Sequence, residues 1–590
     1  MTAGPVKART GSASWALKFS SRNSRLEAFE AGGRADFHSA KPHRLHRPNL
    51  PDFRQTGPKS AGRLASGRRR ARSHRARFVV RETVDQHQVW HEPTFDKVAN
   101  AISPFFLRSG IYLFLISFIC LFYVLNAPLL LGHYDLGWHL AAGNLIRERN
   151  AIPLHDPWSF THGDKPWLNL SWLWDALASA TLQYAGFGGL VLSTVACGAA
   201  IAGILTAISL GYGASAIAVC VAVFLACLLY PAYEVAPNMY LAVAPNTCTM
   251  LFCVVFYREC LRRTRWFVLP VLMAFWANLH GGFLLGFFVI GVFCGAALLR
   301  ASWADLRVLA LAGIGCLAAT FVNPLGWNIY AGAAATMGHF VQGNITEWRS
   351  YYDNIEIPGS IPGILYMLAF VALELRYRNS RPVPLEPRLM SWLFLILGLC
   401  QFRYIAFFFI FSTVPMALHL SRLLPRRLTA VDVRGALLAA GIVGLGTLPL
   451  AYLRVAPALA LPTMLSSEDA GYLQNNFADA RVLNHWNIGG YLIFTTHGTV
   501  RPFVDGRAAT AYPDDLLHDY FKLVSWEIDE TAWDMVLDKY RIEAVLWVKA
   551  HEQLRQFLVE RRGWREQYTG AYVTVYVRPQ SSLAGEAKTQ

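Results

Sequence analysis

The sequence predicts an α-helical polytopic membrane protein with about 11 spans, followed by a C-terminal α/β domain outside the membrane. Of the 590 residues, 54% are hydrophobic and 16% are charged, whereas soluble domains usually carry about 25% charged residues. Long apolar segments recur between residues 111 and 454. After residue 455 the apolar runs become short, and charged residues are as frequent as in a soluble domain.

The formal net charge of +15 belongs mainly to the N-terminal tail. Residues 1–100 carry 20 of the 54 basic side chains and 8 of the 39 acidic ones. We expect residues 1–104 to form a disordered cytoplasmic tail, or to result from a start placed upstream of the true one, because they lack an apolar period. The arginine-rich run at 67–72 could bind nucleic acid, but the disordered tail is the favoured interpretation, and no nucleic-acid partner is expected. A second disordered tail is expected at 581–590.

The membrane domain, residues 105–454, is predicted from segments that lack central charges. The first, 111–131, has 21 residues and matches the length that an α-helix needs to cross a bilayer. Because the span centres lack ionisable side chains, an ion-coupled transporter is disfavoured. The other predicted spans are 188–210, 214–231, 239–257, 266–280, 282–300, 307–323, 361–376, 389–401, 404–421 and 435–454.

Loop charges predict the orientation of these spans. One set of short loops carries 14 basic residues and the opposite set carries five. Basic residues are enriched in cytoplasmic loops, so the N-terminus is expected on the cytoplasmic side of the membrane. This orientation places an outer loop, residues 132–187, and the α/β domain, residues 455–580, on the extracytoplasmic side.

The outer loop contains polar residues next to an expected interfacial helix. Asp135 precedes an apolar stripe that begins at Trp138, which makes it a candidate N-cap. The alternative is a carboxylate beside His133 and His139 that orients or deprotonates an acceptor hydroxyl. A divalent metal bound by these two histidines and Asp135 is weakly supported, because their spacing matches no strong metal signature.

Further along the outer loop, Asp156 precedes Pro157, a pattern typical of turns. The alternative interpretation is that His155 and Asp156 complete a polar pocket with Asp135. The sequence leaves both interpretations open.

The C-terminal domain alternates strand-like and helical segments, which is typical of a small α/β fold. Tight turns are expected at Gly489-Gly490-Tyr491 and at Asp505-Gly506-Arg507. Asp505 and Arg507 are expected to form a structural ion pair, or else to bind a polar ligand. The strand-like runs are 481–483, 500–504, 544–548 and 572–577, and the helical stretches are near 467–477, 513–524 and 551–561.

Three other polar residues are predicted on the same side as Asp135. His280 lies between two spans, where it is either a turn residue or a ligand contact. Arg403 ends a span, where it either extends toward water or binds an anion, since a guanidinium binds phosphate oxygens in bidentate fashion. Glu347 belongs to an outer segment between spans.

Taken in order, these segments resemble the GT-C superfamily of membrane glycosyltransferases, and more closely its polyprenyl-phosphate-sugar-dependent type and a poorly characterised bacterial group. The resemblance covers about residues 105–580, and the sequence departs from it at His133 and Ala244. The segments that carry it are Asp135-Leu136-Gly137-Trp138-His139-Leu140, Ile152-Pro153, Asp156-Pro157, Ser159-Phe160, Trp276-Ala277-Asn278-Leu279-His280-Gly281, Asn323-Pro324, Gly326-Trp327, Glu347-Trp348, Gly489-Gly490-Tyr491 and Asp505-Gly506-Arg507.

The resemblance implies a cell-envelope enzyme that moves a sugar from a polyprenyl phosphate to a glycan, lipid or protein acceptor. Asp135 and Asp156 are then the expected catalytic residues. No motif predicts a cofactor, and a divalent metal is the one candidate. The alternative is a non-catalytic membrane scaffold or a protein that binds lipid-linked glycans. The expected substrate-binding residues are His139, His155, His280, Arg403, Glu347 and Trp138.

Overall fold

The computed structural model describes ten stretches of the chain. The N-terminal tail before residue 95, the junction at 457–464 and the C-terminal tail lie outside them. The described residues are 95–229, 242–263, 265–336, 343–356, 360–378, 383–424, 431–456, 465–524, 528–549 and 551–579.

The membrane region is helical, and each predicted span overlaps one of its helices. Their bounds are α1 (Phe95–Leu125), α2 (Ala127–Leu130), α3 (Leu136–Arg149), α4 (Trp172–Gly211), α5 (Ala216–Leu229), α6 (Asn246–Arg262), α7 (Val268–Leu279), α8 (Leu284–Leu299), α9 (Trp303–Thr320), α10 (Asn328–Thr336), α11 (Ser360–Arg376), α12 (Leu385–Cys400), α13 (Ile405–Leu423) and α14 (Val431–Val455).

Within the described stretches, five helical segments are long and apolar enough to cross a membrane. Since the remaining helices are shorter or less apolar, the count of about 11 spans stays a prediction. The five segments are Trp172–Gly211, Gly281–Leu299, Trp303–Thr320, Phe402–Leu423 and Leu437–Val455, and the shorter apolar helices are Gly110–Leu125, Ala216–Ala226 and Val268–Leu279.

Small residues bring together α1 and α14, the first and last helices of the membrane region. Helix α1 packs closely against α14. A Cβ on Gly441 would lie 2.8 Å from the backbone nitrogen of Phe114, so only glycine permits this separation. The hydroxyl of Ser117 donates to the Gly441 carbonyl at 2.8 Å across the contact. Small residues and interhelical hydrogen bonds are the usual basis of helix association in lipid.

Ion pairs gather at one end of the bundle, which we call the arginine end. Arg263 pairs with Asp305 at 2.7 Å and with Glu386 at 2.9 Å, and Arg300 pairs with Glu386 at 2.6 Å. These contacts join the C-terminal ends of α6 and α8 to the N-terminal ends of α9 and α12. The opposite end, which we call the site end, holds the start of α3 and the turns after α7 and α12.

The C-terminal region is an α/β domain with a small sheet, as predicted. The strand order is β1-β2-β4-β3, in which β1 and β2 are parallel and the other neighbours are antiparallel. The elements are α15 (Ser467–Phe477), β1 (Val482–Asn484), α16 (Trp486–Thr495), α17 (Asp514–Phe521), α18 (Glu530–Lys539), β2 (Ala544–Val548), α19 (Glu552–Arg555), β3 (Arg565–Thr569) and β4 (Val573–Val577).

One predicted strand, 500–504, is wrong. The segment contributes only an isolated bridge at Pro502. The side chain of Asn484 replaces the ladder hydrogen bonds: its Oδ1 accepts from the backbone N–H of Phe503 at 2.7 Å, and its Nδ2 donates to the Val504 carbonyl at 2.8 Å. A mostly buried apolar run therefore forms an irregular segment, which the Asn484 amide and hydrogen bonds from Phe160 and Thr161 of the outer loop hold in place.

The predicted turn at Gly489-Gly490-Tyr491 is also wrong, because these residues lie inside α16. Glycine at two positions lets α16 approach α3: a Cβ on Gly137 would overlap the Gly490 carbonyl, and a Cβ on Gly490 would lie 3.0 Å from the Tyr134 carbonyl oxygen. The Tyr491 hydroxyl donates to the His133 carbonyl at 3.0 Å. The glycines thus mark close contact between the outer loop and the α/β domain.

We expect the α/β domain to be reached from outside the cell. With the exposed Cys400 replaced by alanine, a cysteine introduced at the exposed Ser467 (Ser467→Cys) should react with an impermeant maleimide on intact cells. The matched control is Arg378→Cys, which places an exposed thiol after α11 at the arginine end and should react only after permeabilisation. The reverse pattern would overturn the orientation.

Candidate functional site

The carboxylate of Asp135 lies where the outer loop meets the α/β domain. Asp135 directly precedes α3, but its side chain accepts no hydrogen bond from the helix N–H groups. Its Oδ1 faces Gly506, where an added methyl group would overlap this oxygen and would also approach the Trp138 indole nitrogen. The N-cap interpretation of the side chain is therefore wrong, and the carboxylate is turned toward the α/β domain.

Burial raises the pKa of Asp135 to about 6. The charge of Asp505 adds to this rise, while His139 and the Trp138 indole oppose it. Since an ordinary aspartate has a pKa near 4, Asp135 binds a proton more readily yet is still mostly ionised at pH 7. These are the properties of a general base.

Two histidines next to Asp135 in the chain are held by different partners. The backbone N–H of Asp135 donates to Nδ1 of His133 at 3.2 Å, and burial lowers the pKa of His133 to about 4. Nδ1 of His139 lies 2.6 Å from the carboxylate of Asp175, whose other oxygen accepts from Asn169 at 2.8 Å. The sequence assigned no role to Asp175, which orients the His139 ring.

His280 occupies the turn between α7 and α8. Its Nδ1 accepts from the Gly282 N–H at 3.1 Å and lies 2.8 Å from the Thr249 hydroxyl. Burial lowers the pKa of His280 to about 3, and the nearby charges of Arg403, His139 and His133 lower it further. His280 therefore lies near two histidines of the outer loop and near Arg403, which belongs to the turn after α12.

Arg403 lies in the short turn between α12 and α13. Its guanidinium stacks on the Trp348 ring at 3.8 Å and lies 3.7 Å from a Glu347 carboxylate oxygen. About a quarter of the Arg403 side chain is exposed, at 27%. The structure thus places Arg403 next to Glu347, two residues that the sequence analysis considered separately. Stacking on Trp348, and not a close ion pair, orients the guanidinium.

Asp156 lies in a buried ion-pair network instead of an open pocket. Its Oδ1 accepts from Arg507 at 2.6 Å, and Arg507 also binds both oxygens of Asp505, at 2.8 and 2.7 Å. The Tyr512 hydroxyl donates to Asp505 at 2.6 Å. Although burial opposes ionisation, Arg507 lowers the pKa of Asp156. The predicted structural pair of Asp505 and Arg507 is present, and it reaches across to the outer loop.

Aromatic rings enclose this network. The Arg507 guanidinium lies 5.1 Å from the Trp158 ring and 4.9 Å from the Trp167 ring. Trp138 is also buried; it stacks on His139 and meets Trp167 edge to face. The loop tryptophans therefore form a core against the α/β domain.

Other predicted site residues and groups are placed as follows. His155 is exposed, in a bridge opposite Pro166, and the structure does not bring it into the histidine cluster. Within the described stretches no group of three or more His, Cys, Asp or Glu side chains is arranged to hold a metal ion.

Gly506 and Thr249 belong to the site but were not recognised in the sequence. Gly506 was noted only as part of a turn, although its lack of a side chain makes room for the Asp135 carboxylate. Thr249 lies within a predicted span, where a lone hydroxyl gives no functional signal. Neither role follows from local sequence pattern.

Removing the buried arginine should destabilise the α/β domain. Arg507→Met leaves the carboxylates of Asp505 and Asp156 buried without their cation, which should cost about 3–5 kcal/mol of unfolding free energy. Thermal unfolding of the purified protein in detergent would measure the loss. Arg555→Met, which removes only exposed ion pairs, is the control and should leave the melting temperature unchanged. Equal melting temperatures for both variants would contradict a stabilising role.

No family model matches the sequence, and no curated protein matches it. Solved structures do match. The apo oligosaccharyltransferase of Archaeoglobus fulgidus aligns with a TM-score of 0.50 and 12% identity, covering 79% of this chain and 74% of that chain. The AglB oligosaccharyltransferase of the same organism, in complex with an inhibitory peptide and a dolichol-phosphate, aligns at 0.49 and 11%, with the same coverage. The match to the apo structure shows that this chain and that oligosaccharyltransferase share a fold.

Proposed function

We propose that this protein is an integral membrane glycosyltransferase of the bacterial inner membrane. It moves a sugar from a polyprenyl-phosphate donor to a glycan, lipid or protein acceptor on the extracytoplasmic face. The observation that carries the proposal is the Asp135 carboxylate, with a pKa of about 6, beside His133 and near His139 at the site end of the bundle, where Arg403 lies near His280.

The separation of charges along the bundle supports this location. Arginines paired with Asp305 and Glu386 gather at one end, and the Asp135 cluster lies at the other. Basic residues favour the cytoplasmic side of a membrane. The site end then faces the extracytoplasmic space, where a lipid-linked sugar and an acceptor meet at the bilayer surface.

In the proposed reaction, an acceptor oxygen attacks the anomeric carbon of the sugar. The bond between that carbon and the phosphate oxygen breaks, and its electron pair stays on the phosphate, so polyprenyl phosphate leaves. The proton of the acceptor hydroxyl moves to Asp135. Because phosphate is a good leaving group, positioning and charge stabilisation supply most of the rate enhancement.

Arg403 is the proposed contact for the donor phosphate. Its guanidinium is held by the Trp348 ring, and its nearest carboxylate oxygen, on Glu347, lies at 3.7 Å, beyond hydrogen-bond distance. A phosphate can therefore approach its N–H groups at the cost of one weak ion pair. Glu347 and His139 are proposed to line the same site.

Asp156 has a different proposed role. Its contact with Arg507 holds the outer loop against the α/β domain, which brings Gly506 to Asp135. We propose that Asp156 positions the base without touching substrate.

Asp135→Asn should abolish transfer while preserving the protein. The amide keeps the shape of the side chain but cannot accept the proton, and loss of general-base catalysis usually costs about 10²–10⁴-fold in rate. Transfer from a polyprenyl-phosphate sugar by membranes with equal protein levels is the measurement. Asp164→Asn changes an exposed carboxylate of the same loop and should retain the wild-type rate. Unchanged turnover in Asp135→Asn would exclude Asp135 as the base, whereas absence of transfer by wild-type membranes would favour a non-catalytic binding protein.

The transfer rate should fall as the pH drops below about 6. The raised pKa means that Asp135 is protonated in this range, so each further pH unit should remove about tenfold of the rate. A pH profile of kcat/KM, which reports the pKa of the free enzyme, measures this, with the same membranes returned to pH 7 as a reversibility control. A rate that stays level down to pH near 4, the ordinary range of aspartate, would contradict the assignment.

A further inference from the structure

The two ring nitrogens of His280 are in different states, and the hydrogen bonds show which one carries the proton. A backbone N–H can only donate, so the Gly282 N–H at 3.1 Å requires an unprotonated Nδ1. The Trp276 indole donates to the Thr249 hydroxyl at 3.0 Å, and Thr249 lies 2.8 Å from the same Nδ1. Thr249 therefore donates its own proton to His280.

A neutral imidazole that accepts at Nδ1 must carry its proton at Nε2. The pKa of about 3 keeps His280 neutral at physiological pH. Its Nε2–H has no protein acceptor within the described stretches, because the two hydrogen-bond partners of the ring, Thr249 and Gly282, both contact Nδ1. The His280 side chain is partly exposed, although protein surrounds the site. The Nε2–H of His280 is thus an available hydrogen-bond donor of fixed direction at the site end.

The surroundings of this donor favour an anionic ligand. Arg403 is close enough for its charge to lower the pKa of His280, and no close carboxylate oxygen occupies the guanidinium. Asp135 provides negative charge elsewhere in the cluster, where the acceptor proton is to be received. A phosphate that binds Arg403 has further oxygens that the guanidinium does not contact, and these oxygens need additional N–H donors.

We propose that His280 donates a hydrogen bond from Nε2–H to a phosphate oxygen of the lipid-linked donor, beside Arg403. This inference rests on the proposed function and adds a substrate contact to the same site. The Trp276, Thr249 and Gly282 hydrogen bonds select the tautomer, so the donor is oriented before the lipid binds. No protonated histidine is needed to hold the phosphate.

Two substitutions at His280 separate this contact from a structural role. In His280→Gln the side-chain amide reaches the position of Nε2 and retains a donor there, but the acceptor at Nδ1 is lost. In His280→Asn the amide oxygen takes the place of Nδ1 and can still accept from Thr249 and Gly282, but the donor at Nε2 is lost. A phosphate contact is rescued by glutamine, whereas a turn-stabilising role is rescued by asparagine.

The probe is polyprenyl phosphate without a sugar, and the measurement is its equilibrium binding to the full chain in nanodiscs. Tryptophan fluorescence reports the bound fraction. His280→Asn should bind about 10–100-fold more weakly, the usual effect of losing a hydrogen bond to a charged group. His280→Gln should bind within a few-fold of wild type. His155→Asn, at the exposed histidine, is the matched control and should bind as wild type does.

Three results would overturn the inference: wild type does not bind the probe, His280→Asn binds it normally, or His280→Gln is the weaker variant. The second result includes an effect that is seen only with sugar-bearing donors, because the contact would then be to the sugar. Binding requires no turnover, so this test is separate from the transfer assay. A protein that binds with the expected order of variants but transfers no sugar would refute the proposed function alone.

Discussion

The buried guanidinium of Arg507 is the contact on which the arrangement of the site depends. It binds Asp505 within the α/β domain and Asp156 in the outer loop, and all three side chains are withdrawn from solvent. A buried charge pair gains little net stability, but leaving one partner unpaired is costly. The network therefore acts mainly by fixing one docking position of the outer loop on the α/β domain. Its net contribution to stability is the smaller effect.

That docking position determines the chemistry of Asp135. With the domain in place, Gly506 lies against the carboxylate and excludes water from one side, which raises its pKa. A larger residue at 506 would occupy the space of the carboxylate. Helix α16 extends this contact, because Gly490 on α16 and Gly137 on α3 have no side chains to separate the two helices. The glycines and the Asp135 carboxylate thus belong to one continuous contact between the outer loop and the α/β domain.

Local sequence pattern predicted the membrane helices and much of the α/β domain, because apolar runs and turn residues act over short distances. It failed at 500–504, where the apolar run suggested a strand but the Asn484 side chain supplies the hydrogen bonds. It failed again at Gly489-Gly490, where glycine reflects close helix packing instead of a turn. Both errors have one cause: a residue type was interpreted locally although its role depends on a distant partner.

The sequence by itself determined the helical membrane region, the polar outer loop and the place of Asp135 directly before α3. Hydropathy and loop charge suffice for these because they depend on neighbouring residues and on the bilayer. Only the tertiary structure decided which groups surround that carboxylate. The Asp156–Arg507 contact joins residues 351 positions apart, and no spacing rule predicts such a pair. The same holds for the tautomer of His280, which depends on Thr249 in another helix.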